Sequence, residues 1–141
     1  MKELEHLTYG IVGMGLMGGS LAKAIRGGVL SKSGASGKIY ACDINTASLN
    51  MSLEQHIADK IFSVEQVPLM LKECDFVYIC LYPHATADFL CEHKKDFKDG
   101  SIVSDISGVK ALIFERINEL KDCPFDFIPG HPMAGSEREG Y

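Results

Sequence analysis

A glycine-rich segment near the start of the chain has the spacing of a phosphate-binding turn. In "GIVGMGLMGGSLA", Gly13, Gly15 and Gly18 form a G-x-G-x-x-G pattern that follows an apolar run and opens a segment of helical period. The first glycine allows a tight bend, the second lets a pyrophosphate approach the backbone, and the third lets helix and strand pack closely. The N–H groups around Leu16 and Met17 would point at the phosphates. The pattern also occurs in structural turns, but its strand–turn–helix setting predicts dinucleotide binding.

A carboxylate stands where such a fold contacts the adenosine ribose. Asp43 ends the run "KIYACD", 25 residues after Gly18, and a Gly/Ser-rich connection at 26–38 explains the long spacing. A carboxylate here binds the ribose hydroxyls and repels a 2′-phosphate, and Ile44 and Asn45 follow it with no arginine. The alternative is a solvated aspartate at a strand end. The glycines favour the ribose contact, so NAD is the predicted cofactor.

Two later segments carry distinctive residues just after apolar runs. Leu81, Tyr82 and Pro83, at the end of "DFVYICLYP", are predicted to lie against the ribose and nicotinamide half of the dinucleotide. The reason is that ligands of open α/β sheets bind outside the carboxyl ends of the strands. Ser107, in "SDISGVK", either bonds a ligand or caps the helix that begins after it.

Apolar runs alternate along the chain with segments of helical period. The runs are apolar throughout, as in strands covered on both faces, and they occupy residues 7–13, 38–43, 75–81 and 101–105. Helix-like segments occupy residues 16–27, 46–56, 65–73, 84–95 and 108–120. This order predicts one α/β domain over 1–141, built on a Rossmann-type doubly wound parallel sheet.

The composition is that of an ordinary globular protein, with 46% hydrophobic and 23% charged residues in 141. A net charge of −5 without a clustered basic face argues against nucleic acid or an anionic membrane as a partner. No run predicts a membrane span or a secretory signal. Five cysteines without C-x-x-C spacing predict reduced thiols in a cytoplasmic protein. His6, His56 and His93 show no metal-ligand spacing, so we expect surface histidines and no metal site.

The segment "GHPMAGSE" places His131 between Gly130 and Pro132, close to the end of the chain. On its residues alone it is either a polar tail or half of an active site. Together with "GLMGGSLA" and "SDISGVK", it resembles the motifs of the prephenate/arogenate dehydrogenase family, and "HPMAGSE" is the most specific of the three. The resemblance runs from Gly10 to Glu137. It implies oxidative decarboxylation of prephenate to 4-hydroxyphenylpyruvate, or of arogenate to tyrosine, with NAD or NADP.

The resemblance also implies residue roles. His131 would be the general base that takes the proton of the substrate hydroxyl as hydride leaves the same carbon. The family serine stands two residues before a lysine, where this chain has Gly108, so Ser107 is carried over as the catalytic serine from a position shifted by one. Ser136 and Glu137 match the loop; they either bond the substrate or control access to it, or they are loop-capping polar residues.

In the family, a mostly helical C-terminal domain supplies the dimer interface and the cations that hold the substrate, and nothing follows Tyr141 here. We therefore expect residues 1–141 to be the cofactor half of a homodimeric enzyme of tyrosine biosynthesis, with little turnover alone. Two other interpretations stay open. One is an enzyme of the 3-hydroxyisobutyrate dehydrogenase group, which shares the glycine turn but uses a lysine from a later domain. The other is a non-catalytic NAD-binding regulatory module.

Overall fold

The computed structural model describes residues 3–106, 116 and 122–130. Within these ranges the strands are β1 (Thr8–Val12), β2 (Lys38–Cys42), β3 (Lys60–Phe62), β4 (Phe76–Ile79), β5 (Ile102–Asp105) and β6 (Asp126–Ile128). The α-helices are α1 (Leu16–Gly28), α2 (Thr46–Glu54), α3 (Val67–Glu73) and α4 (Pro83–Glu92). No helix in the described ranges has both the length and the apolar character needed to cross a bilayer.

The six strands form one sheet in the order β3-β2-β1-β4-β5-β6, and every neighbouring pair is parallel. Chain order runs outward in both directions from the centre, so the sheet has its topological switch point between β1 and β4. Ligands of such sheets bind outside the carboxyl ends of the strands at this point. The predicted doubly wound α/β fold is confirmed.

Two buried clusters cover the sheet, and alternate strand residues feed them. Ile11 of β1 packs with Ala22 and Ile25 of α1, whereas its neighbour Val12 packs with residues of α3 and α4, among them Leu71 and Leu90. Helices therefore cover both faces, which explains why the strand sequences are apolar throughout rather than alternating.

Helix α1 is held so that its first turn meets the carboxyl end of β1. Its buried face consists of Gly18, Ala22 and Ile25. At its other end, the Arg26 guanidinium donates to the Ile57 carbonyl and lies 2.6 Å from the Asp59 carboxylate. The same Asp59 oxygen accepts the Ile39 N–H at 2.9 Å, so the helix is tied to β2 as well.

The sequence prediction missed the two edge strands, β3 and β6. Each has three residues, and neither forms an apolar run of the kind that marks the central strands. They are defined by pairing with β2 and β5, which a local pattern does not report. The predicted helices at 46–56, 65–73 and 84–95 are present in shorter form, and the one at 108–120 lies outside the described residues except for residue 116.

Candidate functional site

Two of the three turn positions require glycine because other backbone atoms lie very close to them. Gly13 has φ +94°, and a Cβ there would stand 2.6 Å from the Cys80 carbonyl oxygen of the neighbouring chain segment. A Cβ on Gly18 would stand 1.8 Å from the Gly13 carbonyl oxygen. Any side chain at either position would push α1 or the end of β4 away from the turn. These two glycines therefore hold the first turn of α1 against the centre of the sheet.

Gly15 differs from the other two, because the fold itself does not require it. A Cβ built there meets no heavy atom within 4 Å, and its φ of −73° suits any residue. It precedes α1 with no side chain capping the helix among the described residues, and the first turn carries no acidic residue. The N-terminus of this 13-residue helix is thus open to an anion, beside the N–H groups of Leu16 and Met17. This cradle fits a dinucleotide pyrophosphate.

The Asp43 carboxylate is held at the glycine turn rather than free in solvent. Its Oδ2 accepts the Met14 N–H at 2.6 Å, and its Oδ1 accepts the Asn45 N–H at 2.9 Å. Asn45 in turn caps α2, accepting the Ser48 N–H at 3.1 Å. A carboxylate offers about four acceptor positions, so capacity for two ribose hydroxyls is left after these bonds. Two backbone donors therefore orient Asp43 toward the turn.

A groove of about 330 Å³ lies between the end of β2 and one side of α4. Gly13 and Asp43 border it on one side, and apolar side chains line much of the rest, namely Val12, Ile44, Val64, Val67, Leu81, Ala85 and Phe89. Ile44, directly after the carboxylate, is 86% exposed. An apolar groove beside a carboxylate is suited to an adenine ring attached to its ribose.

The residues predicted for the nicotinamide half are placed unequally. Leu81 lines the groove beside Gly13. Tyr82 is 87% exposed and precedes α4, and Pro83 is the first residue of that helix. Neither lines the groove, so their contact with the cofactor stays a prediction. Burial and the nearby Asp105 carboxylate raise the pKa of the Cys80 thiol, beside the turn, to about 12, which keeps it neutral.

The residues predicted for substrate chemistry, Ser107, His131, Ser136 and Glu137, lie outside the described part of the chain. Their roles stay predictions. One neighbouring residue that the motif analysis missed is visible: Asp105, the last residue of β5, is 1% exposed and accepts the Gly130 N–H at 3.2 Å. Its signal in the sequence is an acidic residue that ends the apolar run "SIVSD".

The prediction that His93 is a plain surface residue is wrong. Its side chain is only 14% exposed, packs on Phe89 with ring centroids 4.6 Å apart, and its Nδ1 lies 2.9 Å from Asp96. It lines the groove described above. Its sequence neighbours are polar, but the helical spacing of four residues places it against Phe89. His56 is exposed, as predicted, and His6 contacts Ser36 at the protein surface.

The sheet is parallel and has a glycine turn at its switch point, followed by an open helix N-terminus. A carboxylate is anchored to that turn. These features define a Rossmann-type nucleotide-binding domain. Residues 26–141 match the sequence model of the family described as prephenate dehydrogenase, nucleotide-binding domain. The chain belongs to this family, and the resemblance seen in its motifs is confirmed. This match begins after the glycine turn, so it does not rest on the turn residues.

Individual relatives agree with the assignment. The prephenate dehydrogenase of Lactococcus lactis subsp. cremoris is 31% identical over 132 residues, which are 92% of this chain and 35% of that protein. The prephenate dehydrogenase of Bacillus subtilis is 27% identical over 99% of this chain and 36% of that protein. The prephenate dehydrogenase of A. aeolicus, solved with hydroxyphenyl propionate and NAD+, has a TM-score of 0.77 and 32% identity, over 97% of this chain and 45% of that one. The chain thus spans about a third of the length of its curated relatives.

Proposed function

We propose that this chain is the NAD-binding part of an enzyme that oxidatively decarboxylates prephenate to 4-hydroxyphenylpyruvate, a step of tyrosine biosynthesis. The observation that carries the proposal is the anchoring of Asp43 to the glycine turn, in a chain of the prephenate dehydrogenase family. The turn supplies a site for the pyrophosphate, the carboxylate a site for the ribose, and the apolar groove a site for adenine.

The surroundings of Asp43 favour NAD over NADP. A 2′-phosphate on the ribose would bring negative charge next to the carboxylate. Asp43 borders two grooves, and no lysine or arginine lines either of them within the described residues. Ile44, at the position where a cation could compensate, is apolar and exposed. NADP is therefore disfavoured because Asp43 repels its 2′-phosphate and no cation compensates for this repulsion.

In the proposed reaction NAD supplies the acceptor for the hydride. His131 takes the proton of the substrate hydroxyl as the hydride leaves the same carbon, and the ring carboxylate leaves as carbon dioxide, its bonding electrons completing the aromatic ring. The unperturbed imidazole titrates near neutral pH, so its neutral form suits this role. We assign Ser107 to a hydrogen bond with this histidine, and Ser136 and Glu137 to the substrate or its entrance. We assign Tyr82 and Pro83 to the reacting half of the dinucleotide, whereas Leu81 lines the groove assigned to adenine.

The remaining parts of the site belong, in this proposal, to another domain of the enzyme. Its curated relatives are about three times as long as this chain. We assign to that domain the cations that hold the substrate carboxylates and the homodimer interface. Residues 1–141 alone should then bind the dinucleotide but turn over prephenate poorly.

The test is a spectrophotometric assay of the full-length protein, with prephenate and arogenate offered separately and with NAD+ or NADP+. We expect prephenate-dependent NADH formation. His131→Asn should lower the turnover number by about 10²–10⁴ and leave NAD+ affinity within about twofold. His84→Asn, an exposed histidine in the first turn of α4, is the matched control and should have no effect. Turnover of arogenate alone would reassign the substrate, and NAD+ binding without turnover of either would support the regulatory module.

A further inference from the structure

Asp105 is a charged residue with almost no access to solvent. It ends β5 at the same edge of the sheet as the glycine turn, and it is 1% exposed. Placing a carboxylate in such a position is costly unless polar partners compensate for the lost water. One of its partners is the backbone of Gly130, whose N–H it accepts at 3.2 Å. The proposed function assigns no role to the Asp105 side chain.

Gly130 lies directly against the end of β5. A Cβ at this position would stand 2.5 Å from the Asp105 carbonyl oxygen and 2.9 Å from the Ser104 hydroxyl oxygen. The first of these atoms belongs to the backbone of β5, which is paired on both sides and has little freedom to move. Glycine is therefore required for the close approach, and it also brings the N–H within reach of the carboxylate.

The strand register explains why Asp105 and Gly130 are in contact. β6 pairs with β5 in parallel, with Ser104 opposite Ile128, so the chain reaches Gly130 just past the carboxyl end of β5. On the other side of Asp105, β4 pairs with β5 through Ile79, one residue before Cys80. Cys80 is also the residue whose carbonyl oxygen excludes a side chain from Gly13. A row of close contacts thus runs across the sheet edge from the glycine turn to Gly130.

We propose that Asp105 is a positioning residue that holds the backbone at Gly130 and thereby sets the place of His131 relative to the dinucleotide. The inference rests on the proposed function, since it takes His131 as the base. His131 follows Gly130 directly, so a shift of the Gly130 backbone displaces the next residue as well. Misplacement of a catalytic group by 1 Å can cost about 10²-fold in rate, so a fixed anchor one residue away matters.

Three variants separate positioning from a general effect on the fold. Asp105→Ala removes the acceptor. Gly130→Ala keeps Asp105 but forces the backbones apart, so it tests the same contact if Asp105→Ala folds poorly. Asp105→Asn retains an oxygen that can accept the Gly130 N–H, so it is the conservative rescue. The matched controls are Asp99→Asn, an exposed aspartate before β5, and Gly27→Ala, at which an added Cβ meets nothing within 4 Å.

The first measurement is NMR of the histidine ring signals in the 141-residue chain, with His131 assigned from the spectrum of His131→Gln. We expect NAD+ to shift the His131 ring signals in the parent, in Asp105→Asn and in both controls. In Asp105→Ala and Gly130→Ala the shift should be lost while NAD+ affinity stays within about threefold, because the turn and Asp43 are untouched. A His131 ring that ignores NAD+ in the parent would overturn the inference.

The second measurement is turnover in the full-length protein, expressed per NAD+-binding site so that unfolded protein does not count. Asp105→Ala and Gly130→Ala should lower kcat at least about tenfold with KM for NAD+ within about threefold, and Asp105→Asn should stay within about threefold of the parent. Unchanged kcat and an unchanged ring shift in both disrupting variants would reduce Asp105 to a structural role. A parent that shows the ring shift but oxidises no prephenate would contradict the proposed function alone, and the ring shifts of the variants would then decide the inference.

Discussion

The carboxylate of Asp43 is hydrogen bonded to the backbone of the glycine turn, with its Oδ2 2.6 Å from the Met14 nitrogen. The two residues are 29 positions apart in the chain and belong to different strand–helix connections. The bond ties the carboxylate that we propose for the ribose to the turn that we propose for the pyrophosphate. Substitutions at Asp43 should therefore change both the strength of dinucleotide binding and the choice between dinucleotides.

Asp43→Asn should weaken NAD+ binding roughly tenfold, because hydrogen bonds to a charged acceptor are stronger than those to a neutral one. The amide oxygen can still accept the Met14 N–H, so the fold should be kept. Loss of the charge should also bring the affinities for NAD+ and NADP+ closer together. Calorimetric titrations with both dinucleotides measure the two effects, with Asp99→Asn as the control. Unaltered discrimination would move the ribose contact to another residue.

Gly18→Ala should mainly lower the stability of the fold, whereas Gly15→Ala should mainly weaken NAD+ binding. Gly18→Ala would drive a methyl group into the Gly13 carbonyl, and we expect it to lower the free energy of unfolding by roughly 2 kcal/mol or more. Gly15→Ala meets no neighbour, so it should cost about 1 kcal/mol at most, as a poorer residue before the helix, while weakening NAD+ binding.

Denaturant unfolding and NAD+ titration together separate the two effects. Gly19→Ala, also free of contacts, is the matched control and should stabilise α1 slightly without loss of binding. Normal NAD+ affinity in Gly15→Ala would show that the pyrophosphate does not approach the backbone there.

Ile44→Arg should admit NADP+ without disturbing the fold. The side chain is 86% exposed, so the substitution removes little packing. A guanidinium beside the ribose would attract a 2′-phosphate and offset the repulsion from Asp43. We expect NADP+ affinity to rise by roughly tenfold at low salt and the gain to shrink as the ionic strength increases. A gain that ignores salt, or none at all, would argue that the 2′ position lies elsewhere.

Cys42 and Cys80 should resist alkylation in the native protein. Burial raises the pKa of each thiol to about 12, with the charges of Asp43 and Asp105 adding to the effect. At pH 8 only about one molecule in 10⁴ would carry the reactive thiolate. As long as the pH is below that pKa, each increase of one pH unit should raise the labelling rate about tenfold. Peptide mass spectrometry after iodoacetamide treatment measures the rates, with the guanidinium-denatured chain as the fully reactive control. Rapid native labelling of Cys80 at pH 8 would contradict this assignment.

The sequence predicted the parts of the site that depend on local pattern. The G-x-G-x-x-G spacing assigns Gly13 to the turn and Gly18 to helix packing, and the structure shows both close approaches. The fold class followed from the alternation of apolar runs and helical segments. These features can be predicted from the sequence because each is determined within one strand–turn–helix unit.

Features that depend on pairing between distant segments could not be predicted in this way. The Asp105–Gly130 contact requires the three-residue strand β6 to pair with β5, and "DFI" carries no clear strand signal. The Asp43–Met14 bond likewise depends on the β1–β2 register. The polar sequence neighbours of His93 predict an exposed side chain, whereas its packing comes from Phe89, one helical turn earlier.

The most direct test of the account is a calorimetric titration of the 141-residue chain with NAD+ and, separately, with NADP+. The anchored carboxylate and the open helix N-terminus predict one NAD+ site per chain and at least about tenfold weaker binding of NADP+. Equal or tighter binding of NADP+ would contradict the role of Asp43, and the absence of NAD+ binding by the folded chain would contradict the account as a whole.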